Sequence, residues 1–236
     1  MTRFLCFPLP MQAAPSARVS GKLMGQAVKP IRRMDSQALS QKGTATRGAL
    51  IDAARQLMYC VSPLQITVSA ICKKAQTGVG TFYRYFNGVE DILWTLCDLV
   101  TDDTTHLFDD DMLLRIPERL DEDALILVKG YSGIWNKHSV ILSYRNLEAD
   151  RGNTRFNLLL TRTGLPIVQR LTERIVGGAP SGRPIRHRDA TAEAVVILAA
   201  MDRLCTAALL YPEISAMPDL LHAALARMIC RAIRQQ

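Results

Sequence analysis

Acidic residues are scarce where the chain begins. Residues 1–88 hold 2 Asp or Glu against 12 Lys or Arg, a net +10, whereas residues 89–236 hold 20 acids and 17 bases, a net −3. This imbalance excludes an evenly charged surface and marks the front as the part that would attract and steer a polyanion. A basic tail beside a neutral domain would not explain why Lys73, Lys74 and Arg84 sit inside periodic segments. Other absences narrow the class further. The six cysteines, Cys6, Cys60, Cys72, Cys97, Cys205 and Cys230, never stand at C-x-x-C spacing. They read as small apolar residues in a reducing compartment, not as a disulfide framework or zinc site. No run approaches the roughly 18 to 20 apolar residues that span a bilayer, so a soluble, cytoplasmic chain with no membrane partner is expected.

Catalytic signatures are missing as well. There is no G-x-S-x-G, H-E-x-x-H, P-loop or G-x-G-x-x-G, and Gly78-Val79-Gly80 follows a helical pattern where that last fingerprint needs a strand. The expectation is a non-enzyme with no catalytic residues, no metal and no cofactor. His106 with Asp109, Asp110 and Asp111 reads as an acidic loop after a helix.

With 48% hydrophobic residues the 236-residue chain has ample core material. Residues 1–43 hold Gly, Pro, Ser and isolated basic residues without a sustained period, and read as a basic, disordered arm. The apolar run FLCFPLP only faintly imitates a secretory signal, and a start at Met24 or Met34 would remove most of the arm. From Thr44 the pattern turns helical: Ala49, Leu50, Ala53, Ala54, Leu57 and Met58 share one face, with Arg47, Asp52, Arg55 and Gln56 opposite. Thr44 or Thr46 is the expected cap, and Ser62-Pro63 the stop.

Thr67 then caps a short second helix, Val68 to Ala75, with Val68, Ile71, Cys72 and Ala75 inward and Lys73 and Lys74 outward. Gln76-Thr77-Gly78 is a turn of helix-turn-helix length. Gly78 caps a third helix, to which Phe82, Tyr83 and Phe86 give apolar bulk while Thr81, Arg84 and Tyr85 point elsewhere. Asn87-Gly88 is expected to close it in left-handed backbone. A long fourth helix follows from Val89, with Glu90 and Asp91 at the positive end of its dipole.

Beyond it no strand alternation occurs. Helices are predicted over Glu118–Trp135, His138–Asp150, Asn153–Val176, Ala190–Tyr211 and Met217–Ile233, with a breaker-rich basic loop over Gly177–Asp189. The last two are too apolar for a single small body to cover, which predicts a homodimer through about 190–211 and 217–233. The fold class is therefore all-α: a helix-turn-helix head over 44–104, joined by its long fourth helix to a helical dimerisation body over 105–236, to which the family resemblance given next adds ligand binding.

Thr67, Val68, Ile71, Ala75, Gly80, Thr81, Phe82, Tyr83, Tyr85, Phe86, Glu90 and Leu93 together resemble the DNA-binding motif of TetR-type, or tetracycline-repressor-like, transcriptional regulators. The likeness covers about a fifth of the chain. Cys72 stands where the family has alanine, Gln76 where it has glycine, Thr77 where it has valine, and Val89 where it has lysine. The resemblance implies a ligand-responsive repressor with a double-stranded DNA operator, a homodimer and a small apolar effector held inside the body. The expected DNA-binding set is Arg47, Thr67, Lys73, Lys74, Gly78, Val79, Gly80, Thr81, Tyr83, Arg84 and Tyr85.

The chemistry of these residues suits groove recognition. A helix fits the major groove and its N-terminal residues reach base edges. Gly78 and Gly80 allow close approach, Val79 and Thr81 suit bases or thymine methyls, and Arg84 suits guanine or phosphate. Tyr83, Tyr85 and the backbone N–H groups at Thr67 suit phosphates. Val89 removes one phosphate contact that the family would supply. Tyr131, Trp135, Phe156 and Met201 are candidate effector-lining residues, with Arg145 or His138 for a polar group. The competing reading is a helical protein-interaction module with a degenerate helix-turn-helix.

Overall fold

The computed structural model describes residues 41–108, 110–179, 184–210, 213 and 217–235. All regular structure among them is helical. The arm, but for its last three residues, and Asp109 of the acidic loop lie outside the described residues. Eight α-helices are named here: α1 (Gln41–Met58), α2 (Val68–Lys74), α3 (Val79–Tyr85), α4 (Val89–Thr105), α5 (Leu120–Asp150), α6 (Thr154–Gly177), α7 (His187–Leu210) and α8 (Pro218–Arg234).

Helix α1 begins at Gln41, so Thr44 and Thr46 lie inside it and neither is its cap. The Thr46 hydroxyl donates to the Lys42 carbonyl at 2.9 Å. Its buried face is Leu50, Ile51, Ala53, Ala54 and Met58, with Ala49 exposed. Ile71, Cys72, Phe82 and Phe86 close over that face, as do Ile92, Leu93 and Leu96 from the start of α4. Each such buried side chain contributes on the order of 1.5–3 kcal/mol.

Helix α4 continues from the head into the body, where it packs on α5 and α6. The break predicted between Trp135 and His138 is a kink inside one 31-residue helix, with His138 at φ −123° and ψ 22°. His138 Nε2 lies 2.9 Å from Asp103 Oδ2 and Lys137 Nζ lies 3.2 Å from it, so α4 clamps α5 at its kink. That His138 hydrogen bond is the main reason the Asp103 carboxyl sits below its usual range.

Asn153 caps α6 by accepting from Arg155 N at 3.2 Å. Inside α6, Phe156, Leu159, Ile167, Leu171 and Ile175 are buried, whereas Leu165 is half exposed. Helix α7 buries Ala190, Ala194, Ile197 and Met201 and turns Ala192, Val195, Val196 and Ala199 outward. Those four stand at i, i+3, i+4 and i+7, a second apolar seam left uncovered by the described residues. The apolar residues of α8 also divide, with Leu225, Ala226, Ile229, Cys230 and Ile233 inward and Leu220, at 68% exposure, outward. No described helix is long and apolar enough to cross a membrane.

Among the described cysteines Cys72, Cys97 and Cys230 are buried, Cys205 is half-buried, and Cys60 is exposed; all are free thiols. Burial pushes the Cys97 and Cys205 thiols up to about 12, which leaves them protonated and unreactive.

Candidate nucleic-acid interface

The turn between α2 and α3 shows how this sequence builds the motif. Thr67, in extended backbone, caps α2 by accepting from Ala70 N at 3.2 Å. At the other end Thr77 N donates to Cys72 O at 3.0 Å and Gln76 N to Lys73 O at 3.3 Å, the paired bonds of a Schellman cap. Gln76 occupies the left-handed position at φ 51°, where glycine carries no Cβ penalty. The departure at Gln76 therefore preserves the turn at a local conformational cost.

Gly78 then caps α3 without a side-chain bond, in extended backbone. A Cβ added at Gly78 or at Gly80 would meet no atom within 4 Å, so the interior does not require glycine there. Both leave bare backbone on the outer surface. Phe82 and Phe86 are buried, with ring centroids 5.7 Å apart.

Tyr83 corrects the expectation of apolar bulk. It is 56% exposed and meets the Phe82 ring edge-on, while Tyr85, expected to point away, is half-buried against the core. The reason is periodicity: positions 82, 85 and 86 share the inner face at i, i+3 and i+4, and 83 lies about 100° off it. Asn87-Gly88 also departs from expectation. Neither residue is left-handed, and Gly88 is extended at φ 164°. The chain is turned instead by Asp91 Oδ2, which accepts from Asn87 N at 3.1 Å and from Asn87 Nδ2 at 3.3 Å.

Lys73, Lys74, Val79, Tyr83 and Arg84 are exposed, and Thr81 is half-exposed on the same short helices. None of Lys73, Lys74 and Arg84 has an acidic partner among the described residues. Arg47 differs from them: it is half-buried, with its guanidinium over the Phe86 ring at 5.4 Å. Val89, where the resemblance implies a phosphate-binding lysine, packs against the core.

One group escaped the sequence reading. Asp91 Oδ1 accepts from Arg155 Nη2 at 3.0 Å, and Arg155 stacks over Trp94 at 4.8 Å. Trp94 Nε1 donates to Arg155 O at 3.4 Å, and Asn153 Nδ2 donates to Glu90 Oε1 at 3.3 Å. These bonds tie the start of α4, and through Asn87 the end of α3, to the start of α6. The only sequence signal was the acid pair Glu90-Asp91, which suits the helix dipole equally well. The partners lie 61 to 64 positions apart in the chain.

The effector-lining candidates Tyr131, Trp135, Phe156 and Met201 are all buried in the body. Tyr131 Oη is hydrogen-bonded to Asp202 Oδ1. Arg145 is 2% exposed and bonds neutral partners, Asn146 Oδ1 at 3.1 Å and Thr163 Oγ1 at 3.5 Å. Burial holds its guanidinium below the usual arginine range. Among the described residues no group of three or more His, Cys, Asp and Glu could hold a metal ion.

A capped short helix, a tight turn and a second short helix with an outward basic and glycine-bearing surface define a helix-turn-helix DNA-binding head. Residues 50–93 match the family model of bacterial regulatory proteins, tetR family. The match gives residues 50–93 the DNA-binding domain of such regulators, and the chain is accordingly a DNA-binding transcriptional regulator. No curated protein matches it in sequence. Among solved structures it is similar to the fatty acid degradation regulator FadR from Bacillus halodurans, at 22% identity over 77% of this chain and 94% of that one, with a TM-score of 0.56. It is also similar to the TetR family repressor AlkX from Dietzia sp. strain DQ12-45-1b, implicated in biodegradation of n-alkanes. That match has 20% identity, 80% and 95% coverage and a TM-score of 0.48.

Proposed function

We propose that the chain is a ligand-responsive repressor that binds its operator as a homodimer, through a head over 44–104 and a body over 105–236. The observation that carries the reading is the outward surface of α2 and α3, where Lys73, Lys74 and Arg84 have no acid to face and Gly78 and Gly80 offer bare backbone. In this reading α3 enters the major groove. Val79, Gly80, Thr81 and Arg84 meet base edges, while Lys73, Lys74 and Tyr83 meet phosphates. The Thr67 hydroxyl accepts from Ala70 N and keeps its own proton for a phosphate oxygen. Tyr85 and Arg47, being half-buried, contribute through their rims.

The dimer forms through the outer seam of α7 and the exposed start of α8. Support comes from Val195 at 50%, Val196 at 62% and Leu220 at 68% exposure, beside an apolar groove of about 350 Å³ lined by Val196, Ile197, Met228 and Ala232. Two heads must then meet half-sites roughly 34–36 Å apart, and a small apolar effector in the body would change that separation by shifting α4. Helix α4 suits this role because it packs against α1 at one end and against α5 and α6 at the other.

A gel shift with the DNA flanking its own gene, repeated over a salt series, tests the reading. A sequence-preferred shift that weakens with salt is expected; no preferred shift at any moderate salt overturns it. Light scattering tests the assembly separately, and a monomer at micromolar concentration overturns the dimer.

A further inference from the structure

A cavity of about 470 Å³ opens where the connection between α4 and α5 meets the last turns of α6 and α8. That size falls within the roughly 300–1,000 Å³ typical of small-molecule sites. Its apolar wall is Leu114, Ile116, Pro117, Leu120 and Ile233. Opposite stand Arg115, Arg174 and Arg234, with Glu173 the one acid among the lining residues.

The charges do not cancel. Arg234 is neutralised by Asp121, with Nη1 and Nη2 at 3.2 and 2.6 Å from its two oxygens. Arg170, just outside, is matched by Asp111 at 3.0 Å. Arg115 has no carboxylate partner among the described residues; its Nε donates to the Asp111 carbonyl at 2.9 Å. Arg174 is 4% exposed and donates from Nε and Nη2 to the carbonyls of Leu113 and Asp111, at 2.8 and 2.9 Å. Among the described residues its Nη1 makes no hydrogen bond, and it lies 3.9 Å from Glu173 Oε2. Two cations thus face one distant acid, leaving a surplus of one positive charge. Burial, then the nearby charges of Arg115 and Arg170, hold the Arg174 guanidinium below its usual range, as expected where an anion is wanted.

The segment that frames the cavity is held under strain. Leu114, 2% exposed, adopts φ 63°, a left-handed conformation that brings its Cβ too close to the following carbonyl oxygen. It is kept there by the buried Asp123 carboxylate, which accepts from Leu114 N at 2.9 Å and from Arg119 Nη2 at 3.2 Å. Such strain concentrates at ligand clamps. Here it follows directly on Leu113, whose carbonyl holds Arg174 at the cavity.

From this arrangement we infer that the cavity is a binding site for an organic monoanion, a carboxylate on a compact apolar body, held by Arg115 and the free corner of Arg174. A planar guanidinium matches a carboxylate, the surplus of one charge matches a monoanion better than a phosphate dianion, and the leucine, isoleucine and proline wall takes the apolar part. The site is distinct from the DNA-facing surface and does not depend on operator binding.

Isothermal titration of the full chain with 4-phenylbutyrate, its neutral amide and inorganic phosphate tests this. The acid is expected to bind saturably, and the amide and phosphate at least about tenfold more weakly. Arg115→Gln, on an exposed side chain, should weaken the acid about tenfold and leave the amide unchanged. Gly177→Leu, whose added Cβ meets no atom within 4 Å, places a side chain at the rim and should abolish uptake while the melting temperature holds. The inference is overturned if acid and amide bind alike, if the acid shows no saturable uptake at millimolar concentration, or if neither variant changes its affinity.

Discussion

The head and the body treat their cations differently. Residues 41–88 carry six Lys or Arg and one acid, Asp52, and Lys73, Lys74 and Arg84 stand without ionic partners among the described residues. In the body, by contrast, Arg155 meets Asp91, Arg162 meets Asp98, Arg170 meets Asp111, Arg186 meets Asp189 and Arg234 meets Asp121. Exposed pairs of this kind add little stability, typically well under 1 kcal/mol, yet they cancel the field that a polyanion would feel. The difference teaches that unpaired cations on a short-helix surface, more than total charge, mark where a phosphate backbone is met.

The largest effects come from breaking each core in turn. Phe82 in the head and Leu171 in the body are both fully buried, and replacing either with alanine should cost about 2–5 kcal/mol, read from urea midpoints. The two should part in function: Phe82→Ala abolishes DNA binding at temperatures where light scattering still reports a dimer, and Leu171→Ala does not. Next in size is Val196→Asp. A two-fold interface meets each substitution twice, so burying this charge should weaken the dimer by about 2–3 kcal/mol or more and shift the light-scattering mass toward the monomer.

A direct contrast of cations follows. Arg84→Ala should lower operator affinity about tenfold and reduce the salt slope by about one unit, whereas Arg170→Ala, in the body, should leave both unchanged. Equal slopes for the two variants would remove the distinction between the regions.

How much of this was legible differs between the regions for a physical reason. In the head the determinants are local. The Thr67 cap, the turn at Gln76 to Gly78 and the outward Lys73 and Lys74 follow from neighbours within a turn or two, and the structure agrees on each. Even there, Tyr83 reads as inward because an aromatic beside Phe82 looks like core until the register is fixed, and it is exposed. In the body the helices were legible from period, but their joints were not. Asp91 with Arg155, Asp103 with His138 and Asp123 with Leu114 connect positions by tertiary packing, and single-residue chemistry does not announce such partners. The break placed near His138 came out as a kink because Lys137 and His138 both hold Asp103 without ending the helix.

Two small substitutions separate stability from DNA contact within the head. Gly80 lies in α3 with open space where a Cβ would stand, so Gly80→Ala should stabilise the head by about 0.5–1 kcal/mol through helix propensity. The same methyl would stand between the helix and the groove, so operator affinity should fall about tenfold even as the melting temperature rises. Unchanged affinity would mean that α3 does not approach DNA at that face.

Gln76→Gly is the gentlest probe. Glutamine at φ 51° carries the left-handed penalty that glycine escapes, while glycine adds unfolded-state entropy, and the difference should leave about 0.5 kcal/mol of net stabilisation. The Schellman bonds from Thr77 N and Gln76 N involve only backbone and survive the change, so the angle between α2 and α3 is kept. Operator affinity and salt slope should therefore match the parent while the urea midpoint rises slightly. A loss of affinity would instead assign the Gln76 side chain, exposed on the turn, a contact of its own with the DNA.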